Sequence, residues 1–287
     1  MRLSVIVITY NSAQHLRHCL ASIEEHLKGV EYEVCVVDNA SVDDSVALAG
    51  LAGGRVRLLS NSRNLGFAAA VNIGLRNTSG DYVMWLNPDA RIEGGDVSEL
   101  LRYMDRKGEV GILGPQLLNA DGTVQLSCRS FPSYSTAFFN RYSLFTRLFP
   151  GNRYSRRYLH SDWDHQSLRE VDWVSGACLL HRRSLVRDIG ELDEQYFMYI
   201  EDIDFCLRAN RAGWKIYYHP GLRVRHHIGG SSRQVPFSMI VELHKSIWHY
   251  YAKHFRRHPL KDAAGWAVVW GRCAGMLARA ILRRAAS

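Results

Sequence analysis

Four apolar, largely β-branched runs, three of them followed by a stretch whose apolar residues recur at helical spacing, occupy the first third of the chain and confine it to one class of fold. Leu3 and Val5-Ile6-Val7-Ile8 form a run broken only by Ser4, as expected of a strand covered on both faces of a parallel sheet. Behind it Leu16, Cys19, Leu20, Ile23 and Leu27 fall on one side of a helix that Asn11 or Ser12 can cap. Glu33-Val34-Cys35-Val36-Val37 makes a second strand ending at Asp38, and residues 42–51 a second helix. Arg55-Val56-Arg57-Leu58-Leu59, residues 67–76 and Tyr82-Val83-Met84-Trp85-Leu86 give a third strand, a third helix and a fourth strand. This order predicts an α/β fold with a mainly parallel sheet and helices on both faces, whose ligands bind where the strands end. Thr9-Tyr10-Asn11, Asp38-Asn39, Asn64-Leu65-Gly66-Phe67 and Asn87-Pro88-Asp89 lie after those strands and should converge on one crevice.

From residue 115 to 170 the periodicity is lost and aromatic and basic residues abound, as in Phe138-Phe139-Asn140-Arg141-Tyr142, which reads as a mobile loop. Order returns over residues 171–180, followed by a short helix near Ser184. Glu201-Asp202-Ile203-Asp204 then opens a helix ending at Gly213, with a strand over residues 215–218. An alternating stretch, 222–225, leads to His226-His227 and the turn Ile228-Gly229-Gly230-Ser231-Ser232.

At 287 residues and 47% hydrophobic the chain can bury a substantial core without cross-links. Its six cysteines, Cys19, Cys35, Cys128, Cys178, Cys206 and Cys273, form no CxxC pair, which fits a reduced environment. The first apolar run is too brief for a signal-peptide core. The net charge of +8 gathers at the end of the chain, where Lys253 to Arg284 holds eight Lys/Arg and one acid, Asp262. A nucleic-acid-reading surface would spread its basic residues over the folded domain, so no nucleic-acid partner is expected. Residues 263–282 are long enough to span a bilayer, but Arg272 near the centre would cost about 2.5–3.5 kcal/mol. Lying on an anionic membrane surface, with Trp266 and Trp270 in the headgroup layer, avoids that cost, and each basic residue adds about 1 kcal/mol. The alternative is a helix packed on the domain or against a second subunit of a homo-oligomer.

Several polar residues have two readings. Asp38 and Asn39 can read the edges of a nucleobase or ribose, or cap the following helix. Asn64 and Gly66 place a flexible backbone at a helix start, where N–H groups favour a diphosphate, although neither a GxGxxG nor a GxxxxGK loop is present. Asp89, held by Pro88 as the chain leaves the sheet, can reach a divalent cation or cap a turn. Glu201 and Asp202 suit a helix N-terminus electrostatically and also suit chemistry. Asp204 and Arg208 are spaced as an ordinary helix-surface pair, leaving Asp202 as the candidate base. His226 or His227 can complete a metal shell or contact phosphate.

Val7-Ile8-Thr9-Tyr10-Asn11, Val37-Asp38-Asn39-Ala40-Ser41, Asn64-Leu65-Gly66-Phe67, Leu86-Asn87-Pro88-Asp89, Val174-Ser175-Gly176-Ala177 and Phe197-Met198-Tyr199-Ile200-Glu201-Asp202-Ile203-Asp204 occur in this order. Together they resemble the inverting GT-A glycosyltransferases of family 2, in the rhamnosyltransferase-like branch acting on polyprenyl-diphosphate-linked sugars. The resemblance covers roughly residues 3 to 255. It implies a Rossmann-like GT-A domain over residues 1–235, with a nucleotide-sugar-binding half (1–114) and an acceptor and catalytic half (115–235), then a basic amphipathic helical extension (236–287). It puts Thr9, Asn11, Asp38 and Asn39 around the nucleoside, Asn64 and Gly66 near the diphosphate, and Tyr10, Phe67, Asn87 and Gly176 in the remainder of the donor site. Asp89, with His226 or His227, would hold Mg²⁺ or Mn²⁺, and Asp202, beside Glu201, would be the general base. The implied donor is a dTDP- or UDP-linked sugar, dTDP-rhamnose first, and the acceptor a glycan, polyprenyl-diphosphate-linked, in cell-envelope polysaccharide synthesis. The implied location is cytoplasmic, peripheral on the inner face of the cell membrane. Two positions depart from the pattern: the metal motif has a single acid, and Leu192 stands where relatives commonly have Phe. A nucleotidyltransferase, which would release pyrophosphate, is the rival enzyme. A non-catalytic nucleotide-sugar-binding protein would have no need of both Asp89 and Asp202.

Overall fold

Leu3, Val5 and Val7 leave one face of the first strand, Ile6 and Ile8 the other, and all five are buried, so this strand lies between two layers of helices. The computed structural model describes residues 2–132, 152–227, 237–256 and 258–285. Strand β1 (Arg2–Thr9) is followed by α1 (Ala13–His26), β2 (Glu31–Asp38), α2 (Ser45–Leu51), β3 (Val56–Ser60), α3 (Phe67–Arg76) and β4 (Tyr82–Leu86). The order then continues with β5 (Ala90–Gly95), α4 (Val97–Arg106), β6 (Val110–Leu118), β7 (Cys128–Arg129), α5 (Arg153–Leu159), β8 (Arg169–Glu170), β9 (Trp173–Val174), β10 (Cys178–Arg182), α6 (Arg183–Ile189), α7 (Glu201–Arg211) and β11 (Lys215–His226). Two helices close the chain, α8 (Phe237–His254) and α9 (Pro259–Ala285).

The large sheet runs β3-β2-β1-β4-β10-β6-β11-β5, with β8 on β11, while β7 and β9 pair separately. Its first four strands are parallel, as is β6 with β11; β10, β5 and β8 run antiparallel. On one face α1, α2 and α4 press Leu16, Cys19, Ile23, Ala49, Leu100 and Met104 onto the strands. On the other, α3, α6 and α7 supply Val71, Leu185, Phe205 and Cys206, and α8 adds Tyr250. Trp85 anchors this second layer, its ring centroid 5.0 Å from Phe205 and 5.3 Å from His181. Each such fully buried side chain contributes about 1.5–3 kcal/mol, enough to fix the helix that begins at Glu201.

Several local expectations are corrected. The second helix starts at Ser45 and not at residue 42, because Val42 is exposed and its N–H bonds to Asn11 Oδ1 (2.8 Å). No side chain of Asn11 or Ser12 caps α1; the Ala13 N–H donates to Asp43 Oδ2 at 2.9 Å. The strand placed at 215–218 continues through Pro220-Gly221 to His226, absorbing that step by a register shift against β6. The stretch read as a mobile loop contains the end of β6, β7, α5 and β8; residues 133–151, and the turn after His227, lie outside the described residues.

Candidate active site

The chain leaves β1 and β2 side by side, with Thr9 opposite Asp38 in the register and the Asn39 N–H bonded to the Thr9 carbonyl at 2.9 Å. Thr9 Oγ1 is buried without a hydrogen-bond partner. Asp38 is buried and accepts the Ser41 N–H (2.9 Å) and the Ser41 hydroxyl, so its carboxylate holds the turn that follows β2. Asn11, at φ 50°, uses its amide oxygen to fix Val42, while the Tyr10 ring stands exposed. Asn39 ties this corner to the next: its Nδ2 donates to the Gly66 carbonyl (3.0 Å) and its Oδ1 accepts from Asn61.

Gly66 enters α3 with φ +87°, after Asn64 Oδ1 has accepted its N–H. A Cβ there would overlap the Phe197 carbonyl and lie 2.8 Å from the Phe197 ring, so both conformation and space require glycine. The Phe67 N–H donates to Phe197 O at 2.7 Å, which couples the start of α3 to the segment before Glu201 and takes up one of the helix's free N–H groups.

Tyr199 and Ile200 both have positive φ, 69° and 72°. For a β-branched residue this is an outlier, and it turns the chain sharply into α7. There Asp202 Oδ2 accepts the Gly176 N–H (2.9 Å) and Oδ1 the Ile203 N–H (2.8 Å). The Gly176 turn is bound to the Asp89 turn through the Asn87 N–H on the Ala177 carbonyl, 2.9 Å. Two hydrogen bonds and a turn therefore connect the two acids. Burial pushes the Asp202 carboxyl up from its ordinary value, opposed by those N–H bonds and by the Arg129 charge. Glu201 is pushed up by burial and by Asp202, with only its own backbone N–H opposing, and its Oε2 has no partner. The ionised form thus has more hydrogen-bond donors at Asp202 than at Glu201.

Asp89 is nearly buried, and His226 Nε2 lies 3.4 Å from its Oδ1. His227 gives Asp89 only its backbone N–H, to the carbonyl; its ring stacks on His15 with centroids 5.8 Å apart. Asp89, His15, His18, Cys19, Arg91 and His227 line a cavity of about 40 Å³. Among the described residues no group of three His, Cys, Asp or Glu side chains is arranged around a common metal position.

Asp204, expected in a helix-surface pair, is fully buried. Arg208 Nε does meet Asp204 Oδ2 (2.8 Å), but Oδ1 also receives His254 Nε2 (2.7 Å), Lys253 Nζ (2.9 Å) and the Tyr196 hydroxyl (3.3 Å). The acid thus clamps α8 to α7. Gln125, Arg129 and Tyr158 join the surroundings of the site without any spacing signal. Arg129 pairs in β7 against Trp173, its guanidinium 5.3 Å from that ring, and its charge acts on Asp202.

Comparison with known proteins shows the family and the fold. Residues 4–185 match the model of the family described as "Glycosyl transferase family 2". The chain is 34% identical to N-acetylglucosaminyl-diphospho-decaprenol L-rhamnosyltransferase of Mycobacterium tuberculosis, over 87% of this chain and 84% of that protein. It is 27% identical to rhamnosyltransferase WbbL of Escherichia coli, over 87% and 92%. A mannosyltransferase from Pyrobaculum calidifontis, solved with GDP-Man and Mn²⁺, superposes with a TM-score of 0.58 at 18% identity, covering 99% of this chain and 75% of that one. This chain has a GT-A fold, belongs to glycosyl transferase family 2 and is a glycosyltransferase.

Proposed function

We propose that the protein transfers a sugar, L-rhamnose from dTDP-rhamnose, to a hydroxyl of a polyprenyl-diphosphate-linked glycan in cell-envelope polysaccharide synthesis, with inversion at the anomeric carbon. The observation that carries the reaction type is Asp202, a carboxylate held by two N–H groups at the start of α7 and tied through Gly176 and Ala177 to the Asp89 turn. The choice of donor and acceptor rests on the relative acting on a decaprenyl-diphosphate-linked sugar and on the WbbL relative.

A hydroxyl is a weak nucleophile near neutral pH. Asp202 takes its proton as the oxygen attacks the anomeric carbon from the side opposite the leaving diphosphate, and the C–O bond to the diphosphate breaks. Thr9, Asp38 and Asn39 face the nucleoside, and the turn at Asn64 and Gly66 faces the diphosphate. Asp89 and His226 offer an oxygen and a nitrogen to one space, a donor set suited to Mg²⁺ or Mn²⁺. A divalent cation bound there supplies charge to offset that growing on the diphosphate.

The acceptor's lipid gives α9 a role at an anionic membrane surface. No described helix is long and apolar enough to cross a membrane. Helix α9 instead packs one side on α8, burying Cys273, with Tyr251 donating to Asp262. Arg272, expected to meet lipid, is half-buried and its charge reaches Tyr158 and His244, so it faces the protein. The outward positions between Lys261 and Arg279 carry no charge, and Trp266 (53% exposed) and Leu282 (69%) stand out from them and from the end of the helix. Such a face suits the headgroup boundary, with Lys261 and Arg279 at its rim.

One assay tests both parts of the proposal. Protein is incubated with dTDP-rhamnose or the UDP-, GDP- and dTDP-linked alternatives and a polyprenyl-diphosphate-linked acceptor in anionic vesicles. The expected result is transfer from dTDP-rhamnose with release of dTDP. A variant with Leu260, Trp266, Val268, Ile281 and Leu282 changed to serine, which leaves the packed side of α9 intact, should keep donor binding yet lose vesicle co-sedimentation. Pyrophosphate release would favour a nucleotidyltransferase, and preference for another donor would overturn the sugar assignment. Vesicle binding equal to wild type would remove the membrane role, leaving contact with a second copy as the use of this face.

A further inference from the structure

His226 sits at the end of β11 beside a hairpin turn, residues 118–125, whose polar side chains have a fixed hydrogen-bond direction. Thr123 Oγ1 donates to Asp121 Oδ1 (2.6 Å), which leaves that hydroxyl able only to accept, and it accepts from Asn119 Nδ2 (2.9 Å). The Asn119 amide is therefore oriented with its Oδ1 toward Gln125, accepting from Gln125 Nε2 at 3.1 Å. That orients Gln125 in turn, so its Oε1 faces His226 Nδ1 at 3.0 Å and must receive a proton from it. In the neutral ring the other nitrogen, Nε2, is then a lone pair, aimed at Asp89 Oδ1 3.4 Å away. Two acceptors pointing at one another have no hydrogen bond to make, an arrangement that suits a shared cation.

The hairpin is itself held against this strand. Gln125 is buried, and its N–H bonds to the Leu117 carbonyl at 2.8 Å. Arg225, the residue before His226, donates to the carbonyls of Asn119 (3.1 Å) and Ala120 (2.7 Å) and is paired with Glu93.

We propose that Gln125 is a positioning residue for the metal site: the relay Asp121–Thr123–Asn119–Gln125 fixes the His226 tautomer so that Nε2 is free to ligate. The inference rests on the reading of Asp89 and His226 as the metal-holding pair and adds the element that sets the imidazole's proton. Carbonyl and carboxylate partners of metal-binding histidines act in this way, and their loss typically weakens metal binding by about 10–100-fold.

The test compares wild type, Gln125→Leu, Gln125→Glu and His226→Ala. Long-range ¹⁵N–¹H spectra of metal-free, histidine-labelled wild type and Gln125 variants report which ring nitrogen of His226 carries the proton. Mn²⁺ binding in the presence of dTDP is followed for all four by electron paramagnetic resonance. Expected are an Nδ1–H tautomer in wild type, its loss in Gln125→Leu with about 10–100-fold weaker Mn²⁺ binding, and near-normal tautomer and affinity in Gln125→Glu, which keeps an acceptor in place. If Gln125→Leu keeps both the tautomer and the affinity while His226→Ala loses Mn²⁺, the relay has no such role and the metal reading stands. If His226→Ala binds Mn²⁺ as wild type does, the metal reading falls and this proposal falls with it. A wild-type ring protonated at Nε2 alone overturns the relay directly.

Discussion

Asp202→Asn is expected to lower turnover by about 10²–10⁴-fold, the usual contribution of a positioned base, while donor affinity stays close to wild type. The amide cannot take the acceptor's proton. It also has one oxygen where two are used, so either the Gly176 or the Ile203 N–H loses its acceptor and faces an NH₂ group. Donor affinity and thermal stability are therefore measured alongside turnover, and a loss confined to turnover is the expected pattern. Retention of more than about a tenth of wild-type turnover would remove Asp202 from the role, since it falls short of even the lower limit for a base. Because burial raises its carboxyl, the wild-type rate should climb with pH through a value above the ordinary aspartate value of about 3.9, as the base becomes ionised.

The second large effect is on stability. Asp204→Asn should destabilise the fold by about 3–5 kcal/mol near neutral pH, as happens when one partner of a buried charge cluster is removed. Asp204 is fully buried and receives Arg208, Lys253, His254 and Tyr196 at once. Burial alone would raise its carboxyl, but the hydrogen bonds from His254 and Lys253 and the Arg208 charge outweigh it and hold it well below the usual range. A carboxylate depressed on folding contributes stability above its unfolded value, about 4, and the contribution is lost as pH falls toward the folded value. The gap between wild type and Asp204→Asn in urea unfolding should therefore be largest near pH 7 and shrink below about pH 4. A gap under about 1 kcal/mol at neutral pH would mean that the cluster behaves as a surface pair.

The history of Asp204 shows where sequence reasoning stops. Its spacing to Arg208 satisfies the rule for neighbouring helix residues, and that bond exists, but its burial comes from Lys253 and His254, some fifty positions downstream on α8. No local pattern carries that contact. By contrast, β1 to β4 and the convergence of their ends were legible because strands buried on both faces leave unbroken apolar runs, and Tyr82–Leu86 matches the expected strand end to end. Helix α2 begins three residues later than the expected 42–51, at Ser45, and Val42, apolar in sequence, is 91% exposed. Of the two histidines, sequence could not choose: adjacent residues on a strand point to opposite sides, and only the fold puts the His226 ring toward Asp89 and the His227 ring on His15. Gln125 carries no signal at all, since its importance lies in the hydrogen-bond direction imposed by a turn.

The central claim is a one-step displacement with Asp202 as base, and the anomeric configuration of the product tests it most directly. With the intact protein, dTDP-rhamnose and the lipid-linked acceptor, NMR of the new glycosidic linkage should show the configuration opposite to that of the donor, with one dTDP released per bond formed. A product that retains the donor's configuration would contradict the account, because it requires a second displacement or a front-side attack that a lone base at Asp202 does not provide.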